Sequence, residues 1–534
     1  MSTEHSEESA TETKSDEVRS DNDANFEQML DTLGHFGRFQ IRIFSLYTLM
    51  DLASGPGLMY FIFANFTPPW SCLELTANTT LPNNSQQLCS YNGSKCIRFE
   101  YDLDESLSSI ITEFNLVCDS AYLPQLTLSI KMVGLLFGAL SCGYLSDWLG
   151  RKKVVLVFST MMMISQIVTG FSTSWLTFTI MRVITGFFVG GSLNVCFSLP
   201  IEFVGPKWRS FCSCITLYEL GTALMTLFAY LTRDWRQVAF ITGSLTLPLI
   251  LAILWLTPES VRWLAMKGRF DEADDIIRWM ARVNKSPVPD LNILRHMAAK
   301  NLREQEKTRR YGYFDLFKTK TAAIRTCVIM YCWFTCSVIF YGISTMYSTF
   351  SGTVFVNAVA SAFATLGASW VVILLANRFG RRRSFFGYMV LPCASMVIVV
   401  IIGILNKKDQ LGVVMTAFVL IGKVGIFSCW DLASIYTVEI FPTVVRNLGV
   451  GSSNMASRIG GIIAPQIALL GGVSHWIVPY VIYAILIITS VLSVYFFLPE
   501  TNNQPLTDAA SSEPRRKQNA TIHNTAIPLI QKKC

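Results

Sequence analysis

Six ionisable residues interrupt long apolar runs of this 534-residue chain: Asp51, Lys131, Glu219, Lys423, Asp431 and Arg458. A charge inside a hydrocarbon layer costs roughly 2.5–3.5 kcal/mol on insertion scales, so each needs a partner, a wet cavity or a function. Arg458 offers a planar guanidinium that grips a carboxylate through two hydrogen bonds and repels a simple cation. Glu219 follows Tyr218, and the two together can hold an ammonium by charge and by cation–π attraction. Asp51 and Asp431 add negative charge, Lys131 and Lys423 positive. The same residues can also satisfy one another, Arg458 neutralising Asp431 and Glu219 bridging to Lys131 or Lys423. A further use is a carboxylate that loads a proton, or that coordinates sodium together with backbone oxygens.

The elements that must position these groups are membrane helices. The chain is 51% hydrophobic and only 15% charged, where a soluble chain carries about a quarter charged residues. Its apolar residues gather into runs of roughly 20, long enough to cross a hydrocarbon core. The runs predict twelve spans, near 41–63, 122–145, 154–171, 175–199, 209–232, 236–257, 324–346, 352–376, 384–405, 411–437, 447–471 and 475–498. The expected fold class is an all-α membrane protein of two six-helix halves, 36–257 and 323–500, each ionisable group but Asp431 lying near mid-membrane. A polar linker, 258–322, joins the halves, and Ala273, Ile276, Ile277 and Met280 on one stripe predict an amphipathic helix there. Residues 1–35 read as a disordered acidic tail and 501–534 as a second tail, both cytoplasmic.

Charge asymmetry sets this orientation. Arg151, Lys152, Lys153, Lys207, Arg209, Arg378, Arg381, Arg382, Arg383 and Arg446 fall on one side, with the basic residues of the linker. That side is cytoplasmic by the positive-inside rule. The segment 64–121 on the other side carries Glu74, Glu100, Asp102, Asp104, Glu105, Glu113 and Asp119 against Lys95 and Arg98. It also holds Cys72, Cys89, Cys96 and Cys118, which predict two disulfides in any of three pairings. The sequons at Asn65, Asn78, Asn83 and Asn92 cluster there and predict glycosylation, Asn65 lying almost at the membrane face. The dispersed basic residues form no stripe for nucleic acid. His5, His35, His296, His475 and His523 are scattered without metal-ligand spacing, and no nucleophile motif appears, so an enzyme is not expected. No signal bears on oligomeric state.

Gly143-Tyr-Leu-Ser-Asp147-Trp-Leu-Gly150-Arg151-Lys152-Lys153 follows the second span, and Ala376-Asn377-Arg378-Phe-Gly380-Arg381-Arg382 echoes it after the eighth. This pair of loops resembles the signature of the major facilitator superfamily. Asn115-Leu-Val-Cys118, Glu202-Phe-Val-Gly205, Pro258-Glu-Ser-Val-Arg262-Trp-Leu and Glu439-Ile-Phe-Pro-Thr-Val-Val-Arg446-Asn-Leu-Gly narrow the resemblance to its organic cation, anion and carnitine transporters. It extends from about Phe36 to Leu506. Leu227-Phe-Ala-Tyr230 with Arg233-Asp-Trp235, Gly422-Lys423-Val-Gly425 and Ala456-Ser-Arg458-Ile-Gly look most like the carnitine branch.

The resemblance implies a plasma-membrane carrier whose halves alternately open a central site to each side. An inner gate would be formed by Asp147, Arg151, Glu202, Arg209, Glu259, Arg262, Arg378, Glu439 and Arg446, some of which can instead anchor to lipid phosphates. Asn377 stands where the second loop usually has an acid. The resemblance also implies an acid at position 458 in cation carriers and arginine in carnitine and anion carriers. The expected substrate is therefore a small organic ion, foremost a zwitterionic quaternary ammonium such as carnitine. An organic anion carrier and a non-transporting nutrient sensor are the alternatives. The usual Glu and Pro of the eighth span are absent from Ala364-Thr-Leu-Gly-Ala368. No cofactor is expected beyond a coupling sodium ion or proton.

Overall fold

A computed structural model describes residues 29–501 apart from 77–87, 92–93, 103–106, 206–207, 210–211, 213–214, 296–311, 406 and 443–444. Asn78, Asn83 and Asn92 therefore lie outside the described residues. The first half begins with α1 (Arg38–Met59) and α2 (Phe61–Ala64). A small sheet follows: β1 (Trp70–Leu75), β2 (Ser90–Tyr91) and β3 (Ser94–Tyr101), in the antiparallel order β1-β3-β2. After the short α3 (Ile110–Phe114) come α4 (Leu123–Leu149), α5 (Arg151–Thr169), α6 (Trp175–Phe203), α7 (Tyr218–Thr232), α8 (Trp235–Ser244) and α9 (Thr246–Leu256). The connection carries α10 (Val261–Met266) and α11 (Phe270–Asn284). The second half comprises α12 (Lys320–Thr345), α13 (Val354–Phe379), α14 (Arg381–Ile404), α15 (Lys408–Ile440), α16 (Arg446–Val473) and α17 (Val478–Phe497).

Among the described residues, 10 helical segments are long and apolar enough to cross a membrane. The first and fifth expected spans fall short for different reasons. α1 carries Arg38, Gln40, Arg42 and Asp51 and breaks at Tyr60, four residues after Pro56. The fifth span was expected to run from residue 209, with Glu219 at mid-depth. Trp208, Arg209 and Cys212 are helical, residues 215–217 are not, and the helix that carries Glu219 begins at Tyr218 and has 15 residues, which rise only about 22 Å. Glu219 thus sits in the first turn of α7 rather than in the middle of a long helix. With these two included, the fold is the expected all-α bundle of twelve membrane helices.

Glycines set the closest helix approaches. On α4, a Cβ at Gly134 would stand 2.4 Å from the Val183 carbonyl oxygen, and at Gly138 1.8 Å from that of Phe187. On α6, Gly186 and Gly190 meet the carbonyls of Lys131 and Leu135 at 2.4 and 2.2 Å in the same way. This reciprocal pair of Gly-x-x-x-Gly seams lets the two backbones touch where lipid supplies no hydrophobic drive for association. Gly55 on α1 and Gly221 on α7 do the same, facing the carbonyls of Tyr218 and Leu52, and so hold Asp51 beside the start of α7.

The sheet is closed by disulfides Cys72–Cys96 and Cys89–Cys118, one of the three open pairings. It is fastened to the bundle through Glu113, which accepts from Trp235 Nε1 at 2.9 Å and from the Arg236 guanidinium. Arg236 also donates to the carbonyls of Gly170 and Ser172 at 2.6 and 2.7 Å. Asn65 donates its side-chain nitrogen to Pro124 O at 3.0 Å, so the atom a glycan would occupy is engaged. At the opposite face, α11 turns Ala273, Ile277, Met280 and Ala281 inward. Asn284 at its end accepts from Phe39 N at 2.9 Å and donates to Leu33 O and Gln40 Oε1, tying α11 to the start of α1.

Gly138→Leu should lower the melting temperature of the detergent-solubilised protein by several degrees, whereas Gly143→Leu, with open space around it, should leave it within a degree or so. Equal losses would show that the α4–α6 seam is not the reason glycine is required at position 138. Asn65→Gln should leave the mobility shift on enzymatic deglycosylation unchanged, checked by gel electrophoresis of protein from a glycosylating host.

Candidate substrate site and gates

Asp51, Glu219, Lys423, Asp431 and Arg458 come within electrostatic reach of one another or of Tyr218 where the two halves meet. Asp51, Glu219 and Arg458 are only 5%, 3% and 8% exposed, yet both Asp51 oxygens, Glu219 Oε1 and Arg458 Nε make no hydrogen bond. Asp51 faces the backbone amides of Leu217 and Tyr218, where α7 begins, without closing a bond to either. The Tyr218 hydroxyl is also unbonded, and it lies within electrostatic reach of Asp51 and Glu219 on its own half and of Tyr341 and Arg458 on the other. Glu219 faces Thr365 of α13, again across the cleft. Ser54, Ser337 and Ser457 add further buried, unbonded hydroxyls.

The remaining candidates are held by the protein. Lys131 donates to Leu58 O at 2.6 Å, at the break between α1 and α2, and lies over the Phe61 ring. Lys423 donates to the Tyr347 hydroxyl, with its ammonium 4.6 Å from the Phe340 ring and 4.9 Å from the Tyr347 ring. Asp431 accepts from Ser369 at 2.8 Å. Sequence reasoning missed Arg182, buried in α6, which donates to Gln166 Oε1 at 2.6 Å and to Gly57 O at 2.9 Å. Its position inside an apolar span was signal enough to find it. Among the described residues no ion pair within 4.0 Å joins any of these cations to Asp51, Glu219 or Asp431, while Lys423 lies within electrostatic reach of Glu219.

The charged loops pair within each half, and in duplicate. Arg151 contacts Asp147 at 2.9 Å and Glu202 at 3.2 Å, and Ser260 donates to Glu202. Glu259 accepts from Lys152 N at 3.0 Å, beside Gly150, whose φ of 108° only glycine adopts without strain. In the second half Arg381 holds Glu439 at 2.9 Å, and Thr501 donates to Glu439 at 2.5 Å. Glu500 accepts from Arg381 N at 2.8 Å beside Gly380, whose φ is 91°. Each acid thus caps the amide end of a membrane helix. Arg209 and Arg446 repeat one another too, reaching the carbonyls of Val204 and Phe441 at 3.3 and 3.4 Å.

One assignment changes. Arg378 was expected in the gating set, but it is exposed over the Phe379 ring, and Arg381 makes the contact to Glu439. The echoing loops already aligned Arg381 with Arg151, and Pro499-Glu500 repeats Pro258-Glu259. Arg262 lies in α10 beside these groups.

The seam between the halves is shut at the face that carries the sheet. Ser129 of α4 donates to Ile462 O of α16 at 2.7 Å and accepts from Gln466 at 3.0 Å. Phe63 of the first half stacks on Phe355 of α13 with centroids 5.7 Å apart.

Residues 73–511 match the family described as "Sugar (and other) transporter". The "Organic cation transporter protein" of Drosophila melanogaster is 30% identical over 521 residues, covering 90% of this chain and 93% of that one. "Organic cation/carnitine transporter 2" of Homo sapiens is 33% identical over 429 residues, covering 78% and 74%. This chain belongs to the solute carrier family 22 transporters of the major facilitator superfamily. It is a multi-pass membrane transporter, not an enzyme. The fold matches the xylose transporter XylE from E. coli in its inward open conformation, with a TM-score of 0.63 at 15% identity, over 88% of this chain and 98% of that one.

Arg381→Ala should cut uptake about tenfold at equal surface abundance, by loss of a charge-assisted contact of roughly 1.5–3 kcal/mol. Arg378→Ala should stay within about twofold, since surface charges contribute little. Equal losses in labelled-substrate uptake would return the latch to Arg378.

Proposed function

We propose that this solute carrier is a plasma-membrane, alternating-access transporter of zwitterionic quaternary ammonium compounds such as carnitine or a betaine. The supporting observation is a pair of buried charges of opposite sign from opposite halves, both near Tyr218: Arg458 on the second half and Glu219 on the first, whose Nε and Oε1 atoms make no hydrogen bond. A zwitterion supplies both missing counter-charges at once. Its carboxylate meets Arg458, and its ammonium meets Glu219 and the Tyr218 ring, with Asp51 behind them. Because each end binds a different half, substrate draws the halves together, which is what a rocking carrier requires. Carnitine also stands in the printed name of the human relative.

The face bearing the disulfide-bonded sheet is assigned to the outside, and both tails to the cytoplasm, since disulfides persist in oxidising compartments and the basic loops lie opposite. On this reading Asp147, Arg151, Glu202, Glu259, Arg381, Glu439 and Glu500 shape the inner gate. Their pairing within halves fits a state in which the outer seam is closed. A zwitterion gains nothing from the membrane potential, so accumulation calls for a coupled sodium ion or proton, and Asp51 and Asp431 are the carboxylates available for it.

A second reading, an organic anion carrier, draws on the buried charge count. Lys131, Arg182, Lys423 and Arg458 outnumber Asp51, Glu219 and the partly buried Asp431. Uptake of one labelled zwitterion, one cation and one anion into sealed vesicles, each with and without sodium and a pH gradient, separates these readings. It also excludes a sensor, which binds without accumulating. Arg458→Asp should lose zwitterion uptake by about a hundredfold, the scale of a 2–5 kcal/mol truncated charge pair, and retain more of any cation uptake. Equal retention of both would remove Arg458 from the site.

A further inference from the structure

The Leu227-Phe-Ala-Tyr230 and Arg233-Asp-Trp235 segments are not used by the central site, yet they build a defined object where the outer seam closes. Trp235 is fully buried, its carbonyl accepting from the Tyr60 hydroxyl at 2.6 Å, and Asp234 caps α8 by accepting from Arg236 N at 2.9 Å. These two fix the turn after α7. Between Tyr230 and Asp234 the chain passes through a left-handed residue, Arg233, with φ 53°. That turn directs its guanidinium back over α7, where Nε donates to Tyr230 O at 2.9 Å. The guanidinium carbon stands 4.7 Å from the Tyr230 ring centroid and 4.9 Å from that of Phe355. The two rings meet edge to face at 5.5 Å, and Phe63 stacks on Phe355. Phe63, Tyr230 and Arg233 belong to the first half and Phe355 to the second.

We propose that Tyr230, Phe355 and Phe63 form a second, outer binding site for the quaternary ammonium end of the substrate, which Arg233 occupies while the outside is shut. The inference rests on the ammonium-bearing substrate proposed above. A cation is already seated on these rings, so their faces are placed to receive one. As the halves begin to part at the sheet face, the Tyr230 and Phe355 faces are uncovered to the outside while the two rings are still close enough to share a cation. An arriving ammonium then competes with Arg233 for them before passing inward to Tyr218 and Glu219. The resident guanidinium also reseals the aromatic group once the substrate has left it.

The probes are choline and its uncharged carbon isostere 3,3-dimethylbutan-1-ol, each applied outside as an inhibitor of labelled zwitterion uptake by the full-length carrier in cells. Phe355→Leu and Tyr230→Leu should raise the half-inhibiting choline concentration about threefold to tenfold, the range of a cation–π contact, and leave the isostere unmoved. Arg233→Ala should lower the choline value several-fold, with Arg233→Lys returning it towards wild type. Looser gating alone would shift both probes together in Arg233→Ala, and that outcome overturns the outer site. Identical choline inhibition of wild type, Arg233→Ala and Phe355→Leu overturns it as well, while leaving the central site standing. A wild-type carrier that neither transports nor is inhibited by choline, and stays so in Arg233→Ala, overturns the ammonium reading itself.

Discussion

The structure depends on how ionised groups are kept in an interior that cannot solvate them. Burying a charge without a partner is costly, and removing one partner of a buried pair costs more than the pair contributed. This protein answers in two ways. Lys131, Arg182 and Lys423 are given permanent acceptors: carbonyls at the break of the first membrane helix for two of them, and Tyr347 with an aromatic pair for the third. Asp51, Glu219 and Arg458 are left without a hydrogen bond on the atoms that face the cleft. The first group stabilises the fold; the second group leaves charged atoms for which a ligand carrying both charges, as proposed above, would supply the partners.

Helix breaks serve this division. The interruption at Tyr60 frees the carbonyls of Leu58 and Gly57 that Lys131 and Arg182 take up. The late start of α7 turns the amides of Leu217 and Tyr218 towards Asp51 and places Glu219 in a first turn, where a carboxylate is favoured by the helix dipole. Irregular backbone at membrane depth is tolerated only where protein or a cavity satisfies it. Glycine contacts between α1 and α7, and between α4 and α6, bring these irregular segments close enough to do so. At the loops, glycines with positive φ let Glu259 and Glu500 reach helix amides, so one device serves both halves.

Much of the bundle was legible before any coordinates. Runs of about 20 apolar residues, charge asymmetry and the echoed loops gave the number of spans and the two halves, because a hydrocarbon layer imposes length and polarity on a sequence directly. The fifth span is interrupted at 215–217, which hydropathy does not register, because Ile215 and Leu217 are apolar and hydropathy is blind to where helical hydrogen bonding stops. Arg378 and Arg381 lie three residues apart in one basic loop, so residue type alone does not separate them; the turn at Gly380 decides which of them reaches Glu439.

The sequence by itself determined that charges lie inside the membrane, which residues carry them and that four cysteines share one loop, since residue type and spacing are sufficient for those statements. Only the tertiary structure decided which cysteines pair, that Lys131 and Lys423 are engaged while Arg458 Nε and Glu219 Oε1 make no hydrogen bond, and that Arg233 rests on rings from both halves. Those outcomes depend on angstrom-scale distances between helices far apart in the chain. Helix packing through backbone contacts at glycine sets those distances, and no local pattern encodes them.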